Sequence, residues 1–180
     1  MSGYRLVLFL HLAALLAAIG SSGLVHFAEA QLRAAQTAAA ARPWAALVER
    51  AAKVFPPALL VLVVSGAYLV DRGWTWDSGW VDAGLIGAVV LVVNGAGVVG
   101  GRNRALKRAL AASADGPLPP PLRQLTRSQV GGIASWTNTG LAIGVVFVMT
   151  TKPALAGSVA SLAIAVLLGA AVAVRLRRHV

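Results

Sequence analysis

Residues 80–108 read WVDAGLIGAVVLVVNGAGVVGGRNRALKR. After Asp82 no charged residue occurs until Arg102, and then Arg102, Arg104, Lys107 and Arg108 follow within seven positions. About 20 apolar residues in a helix cross the ~30 Å hydrocarbon core of a bilayer. Basic residues crowded at one end of such a run mark the side that is not translocated. The stretch therefore predicts a membrane helix whose C-terminal end stays in the cytoplasm.

Four further apolar stretches flank it, at 4–27, 54–70, 130–151 and 154–174. The sixteen Lys and Arg residues are sorted between alternate gaps. Arg33, Arg42, Arg50 and Lys53 share a side with Arg102, Arg104, Lys107, Arg108, Arg123 and Arg127, and with Arg175, Arg177 and Arg178, thirteen in all. Only Arg5, Arg72 and Lys152 fall on the other side, beside Asp71, Asp77 and Asp82. The bias predicts an all-α polytopic membrane protein. Its five transmembrane helices form a single integral domain over 1–180 in a bacterial cytoplasmic (inner) membrane, N-terminus outside and C-terminus inside.

Composition agrees. The chain is 58% hydrophobic and 12% charged, with a mean hydropathy of +0.76, whereas soluble domains carry about 25% charged residues. The net charge of +10 flanks apolar spans and faces lipid headgroups, which argues against nucleic acid as a partner. With no cysteine, disulfides, thiolate metal sites and cysteine nucleophiles are excluded. Arg5, the apolar run after it and Ala28-Glu29-Ala30 imitate a signal peptide, but the run is long, and we read it as a retained first helix.

Between the spans, the alanine-rich stretch 28–41 favours helix as far as Pro43. Residues 43–54 place Trp44, Leu47, Val48 and Ala51 on one face, which suits an interfacial helix on the inner leaflet. Pro56 and Pro57 then turn the chain into the second span. Trp74, Trp76 and Trp80 mark the opposite headgroup level, and Asp77 or Ser78 is placed to cap the third span. The linker 113–129, with Pro117, Pro119, Pro120 and Pro121, reads as an extended docking strap on the inner side.

Several polar groups lie within the spans. Gly95-x-Gly97-x-x-Gly100 imitates a dinucleotide-binding turn, but inside a span glycines serve close helix packing. Asn94 and Asn138 fall at similar depth, with Ser135, Thr137 and Thr139 beside Asn138. Such groups are expected to face the bundle and bond one another, as interhelical glue or as a polar path. His11, Met149 and Lys152 share the outer half of the bilayer, and an intramembrane histidine is able to ligate haem or a metal, or to carry a proton. His26 and His179 read as solvated on the inner side. Asp82 falls near the outer interface and no Asp or Glu lies deeper in a span, which disfavours a proton-driven pump. Neither paired carboxylates nor a Ser–His–Asp set points to a hydrolase.

At FLHLAALLAAIG (9–20) and VVFVMTTKP (145–153) the chain resembles a family of uncharacterised bacterial integral membrane proteins marked by a first-helix histidine and an M-x-x-K-P sequence. It is distantly similar to copper-resistance D-type proteins and to haem-binding membrane protoporphyrinogen oxidases, which pair a first-helix His with a later Lys. His11, Met149, Lys152 and Pro153 carry the match. The resemblance implies the helical layout and draws attention to His11 with Lys152 or Met149 as a cofactor-binding set, with haem the possible group.

Three functions remain open. The favoured one is a non-catalytic accessory or assembly subunit that sits in the lipid bilayer with other membrane protein subunits. Second is a haem-binding redox protein or enzyme using His11. Third is a small-molecule or metal-ion permease using the Asn94/Asn138 layer.

Overall fold

In hydrocarbon a backbone N–H or C=O has no water to bond, so apolar runs of this length close their hydrogen bonds internally as helices. The computed structural model describes residues 3–177 and contains, among them, eight α-helices. They are α1 (Gly3–Ala34), α2 (Ala38–Ala52), α3 (Phe55–Gly73), α4 (Gly79–Asn94), α5 (Gly100–Ala111), α6 (Pro120–Thr126), α7 (Gln129–Thr151) and α8 (Leu155–Arg177). A π-helical turn, Gly95–Val99, joins α4 to α5. Five helical runs are long and apolar enough to span a membrane: Gly3–Ala34, Ala38–Gly73, Gly79–Ala111, Pro120–Thr151 and Leu155–Leu176. The architecture is thus all-α with five spans. Arg178 and His179 lie outside the described residues.

The spans pack as two groups. α3 lies along α1, while α4 and α8 both pack on α7. Small residues let α7 and α8 meet at backbone distance. A Cβ on Gly140 would sit 2.3 Å from the Ala165 carbonyl oxygen, and one on Gly169 2.4 Å from that of Trp136. The glycines of 95–100 have a different use. Only Gly95 is closely approached by another helix, with Asn138 Nδ2 3.2 Å from where its Cβ would be. A Cβ at Gly97 would meet nothing within 4 Å, and one at Gly100 would lie 3.2 Å from the Gly95 carbonyl within the π turn itself.

At the basic end the two groups are joined by a small packed cap. Leu32 of α1, Val48 of α2, Leu106 and Leu110 of α5, and Leu118 and Leu122 around the start of α6 share one buried cluster. Here the structure departs from the sequence reading in three ways. The alanine-rich helix does not continue to Pro43. It breaks at 35–37, where Thr37 caps α2 by accepting from the Ala40 N–H at 3.2 Å, and Pro43 lies inside α2. The helix read as interfacial over 43–54 starts earlier and runs back along α1, where the Ser21 hydroxyl donates to the Ala51 carbonyl at 2.5 Å. Finally, the proline linker 113–129 is not a free extended strap. Pro120 and Pro121 open α6, since proline fits the first helical positions, whose N–H groups have no intrahelical partner. Leu118 and Leu122 are buried. The Leu118 N–H bonds the Gln36 carbonyl and the Ala38 N–H the Gly116 carbonyl, both at 3.0 Å. Arg42 pins the remainder by pairing with Asp115 and the Ser113 carbonyl.

The register of α1 on α3 fixes depth. His11 Cε1 lies 3.4 Å from where a Cβ on Gly66 would be, and the Tyr4 hydroxyl 3.6 Å from one on Gly73. Stepping both antiparallel helices eleven residues from the His11–Gly66 contact brings Phe55, the start of α3, level with Ser22. At ~1.5 Å per residue the 19 residues of α3 are about 28 Å long, close to the hydrocarbon thickness. Ser22 therefore marks the hydrocarbon boundary at the basic end. The last three turns of α1 stand beyond it, inside the cap.

Candidate functional site

Ser22, His26 and Glu29 are spaced by four and three residues and so share one face of α1. That face meets α5 and α7. The Glu29 carboxylate accepts from Arg102 Nη1 of α5 at 2.6 Å, with the two side chains 1% and 7% exposed, so this is a buried ion pair. Room for the guanidinium stem comes from Gly131 at the start of α7. A Cβ there would lie 2.1 Å from Arg102 Cδ. Ser128 accepts from the Gly131 N–H at 3.3 Å and caps that turn.

His26 stacks on Trp136 of α7, with ring centroids 3.9 Å apart and planes 17° from parallel. Its Nε2 lies 2.7 Å from Thr139 Oγ1, which is also 2.9 Å from Ser22 Oγ and 3.3 Å from the Ser135 carbonyl. With Thr139 donating to that carbonyl, its oxygen accepts from His26 Nε2–H and from Ser22. The network thus assigns the proton of a neutral His26 to Nε2. The other ring nitrogen, Nδ1, then faces Glu29 Oε2 at 4.0 Å, and neither atom has a hydrogen-bond partner. At that separation no direct hydrogen bond joins them, and one bridging water would satisfy both.

Above this cluster lies the asparagine layer. Asn94 Nδ2 donates to Asn138 Oδ1 at 2.7 Å and to the Ala134 carbonyl at 3.1 Å. Asn138 Nδ2 donates to the Leu91 carbonyl at 3.3 Å. Together these bonds tie α4 to α7, where the π turn begins. Of the residues grouped with this layer, Thr139 and Ser135 belong to the His26 network instead. Thr137 is half-buried on α7, and its Cα lies 3.1 Å from where a Cβ on Gly169 would sit.

His11, Met149 and Lys152 stand on different neighbours. His11 Nδ1 is 2.9 Å from Ser65 Oγ of α3. The serine hydroxyl in turn donates to the Val61 carbonyl, so it accepts from Nδ1–H and leaves Nε2 with its lone pair. Met149 Cε fills the space above Gly84 on α4, 2.0 Å from where a Cβ would be. Lys152 Nζ sits 4.4 Å from the ring centroid of Trp74 and 5.8 Å from that of Trp80. Among the described contacts none joins His11 to Met149 or Lys152.

The sequence reading left Glu29 and Arg102 among the loop charges of the basic gaps and His26 as a solvated histidine. The spacing Ser22-x-x-x-His26-x-x-Glu29 was the available signal, since it puts three polar groups on one helix face. What it could not supply was the partner, because Arg102 is one of ten basic residues in two gaps. Glu29 is thus a carboxylate buried inside the protein, where the sequence reading had not placed one. It sits at the headgroup level of the basic end, however, and not at the midplane.

Residues 5–153 match the family described as a predicted integral membrane protein, DUF2269, and the chain belongs to that family. No curated protein matches the chain, and neither does any solved structure.

Proposed function

We propose that this protein is a non-catalytic accessory or assembly subunit of a larger membrane complex, oriented with its basic end in the cytoplasm of a bacterial inner membrane. One observation carries this reading: the basic end is a rigid platform and not a set of loose loops. The cap is built on its own buried leucine cluster. It is locked to the spans by the Glu29–Arg102 pair, and Arg42 holds its linker. Arg104, Lys107, Arg108, Arg123 and Arg127 remain exposed on it. Fixed cations on a preorganised surface suit an acidic docking face on another subunit, because little ordering entropy is lost on binding.

The interior polar groups fit the same role. Each bonded pair links two helices: Glu29 to Arg102, His26 to Thr139, and Asn94 to Asn138. Such bonds hold a bundle in one arrangement. Isolation from its native membrane in a gentle detergent tests the reading. A partner at constant stoichiometry, released by Arg108→Glu with Arg123→Glu and retained in His11→Ala, is expected. A functional lone chain would count against it.

A second reading, haem- or metal-linked chemistry at His11, draws support from the Ser65 bond, which orients the ring and leaves Nε2 available for ligation. It rests on His11 alone. Its test is an absorption spectrum of protein expressed with haem supplied, where a Soret band lost in His11→Ala supports it and the absence of a band removes it.

A further inference from the structure

We propose that the groove between α1 and α2 is a binding site for an anionic phospholipid, with an acyl chain in the groove and the phosphate on Arg50. The groove has a volume of about 420 Å³. On α1 its wall is Leu16, Ala17, Gly20 and Leu24, and on α2 it is Leu47, Ala51 and Val54. The lining is apolar because the polar groups nearby are already bonded. Ser21, which also borders the groove, gives its hydroxyl proton to the Ala51 carbonyl.

Arg50 is the cation of this rim. It is exposed and forms no ion pair among the described residues, since the neighbouring Glu49 pairs with Lys107 at 2.8 Å and Lys53 at 3.5 Å. Depth completes the match. Ser22 lies level with the start of α3, so Leu16, Ala17 and Gly20 occupy the last part of the hydrocarbon and Leu24 stands just beyond it. Arg50 and Val54 sit at its edge, where lipid phosphates are found. An unpaired guanidinium directly above an apolar groove at the headgroup level fits a phosphate attached to an acyl chain.

Other occupants fit less well. A free phosphate gains nothing from the apolar wall. A partner helix would need a longer stripe than the two turns from Leu16 to Leu24. Gly20 leaves the groove floor open, since a Cβ there would meet nothing within 4 Å. A larger side chain at that position therefore fills the groove without colliding with the fold.

Native mass spectrometry of the full chain, with phosphatidylglycerol and phosphatidylcholine of identical chains, tests the site. Wild type is expected to retain phosphatidylglycerol about fivefold better, the effect of about one surface cation on an anionic headgroup. Arg50→Gln should abolish the preference, Gly20→Leu should lower retention of both lipids, and Arg175→Gln, at the end of α8 and away from the groove, should change neither. Equal retention of the two lipids by wild type would overturn the proposal. So would a preference that survives Arg50→Gln, equal loss in Arg175→Gln, or displacement of the lipid by millimolar inorganic phosphate.

Discussion

Replacing Arg102 by Met removes the cation bonded to the Glu29 carboxylate, whose side chain is 1% exposed. The Met side chain preserves most of the stem volume beside Gly131, so the change isolates charge from packing. Breaking a buried pair by removing one partner costs about 3–5 kcal/mol, because the remaining charge keeps its desolvation penalty. For a chain of this length that corresponds to a fall in unfolding temperature on the order of 10 °C. Thermal unfolding in detergent, followed by tryptophan fluorescence, reports it well. Trp136, stacked on His26, lies within the same network. The double variant Glu29→Gln/Arg102→Met removes both charges and should recover at least half of the loss, since apolar or neutral replacements of buried pairs are often close to neutral. Wild-type stability in Arg102→Met would show that the pair is solvated and does not clamp α1 to α5. A double variant no better than the single one would show that the loss came from packing and not charge.

Three further outcomes follow from the same geometry. Asn138→Leu strips the bond to Asn94 and should cost about 0.6–2 kcal/mol, the range for interhelical polar bonds in membranes, read in the same unfolding assay. Lys152 has φ 49°, in the left-handed region, and its ammonium lies over Trp74. Lys152→Ala should lose about 0.5–2 kcal/mol of cation–π attraction while keeping the backbone strain. Lys152→Gly, which relieves about 1–2 kcal/mol of that strain, should be the more stable of the two, and the reverse order would count against the geometry. Because the chain has no cysteine, single cysteines at Ser113 and Ser78 report orientation directly. An impermeant thiol reagent added outside intact cells should label Ser78→Cys and spare Ser113→Cys.

Much of the fold was legible because it follows from hydropathy and charge, which act over whole segments. The apolar runs and their basic flanks gave five spans and an all-α bundle. The basic-end cap was not legible, for two reasons. Pro43 and Pro120–Pro121 look like helix breakers in sequence, but only tertiary packing decides between breaking a helix and starting one. Leu118 and Leu122 likewise read as linker residues until α1, α2 and α5 are seen to cover them. At the candidate site, the depth of Asn94 and Asn138 could be counted along the helices, whereas the pairing of Glu29 with Arg102 joins residues 73 positions apart. A short run of sequence cannot indicate which arginine comes back to meet a buried acid. The same limit applies to His11, Met149 and Lys152. Shared depth placed them in one leaflet half, but rotation of each helix turned them to Ser65, Gly84 and Trp74 respectively.

The most direct test of the account is the mass of the intact assembly, measured by native mass spectrometry after mild extraction from the native membrane. The accessory-subunit reading predicts a species whose mass is not a whole multiple of the 18.4 kDa chain, containing a second protein at fixed ratio that dissociates when the exposed arginines of the cap are reversed in charge. A species that is only the chain itself, or whole multiples of it, would contradict the accessory-subunit reading.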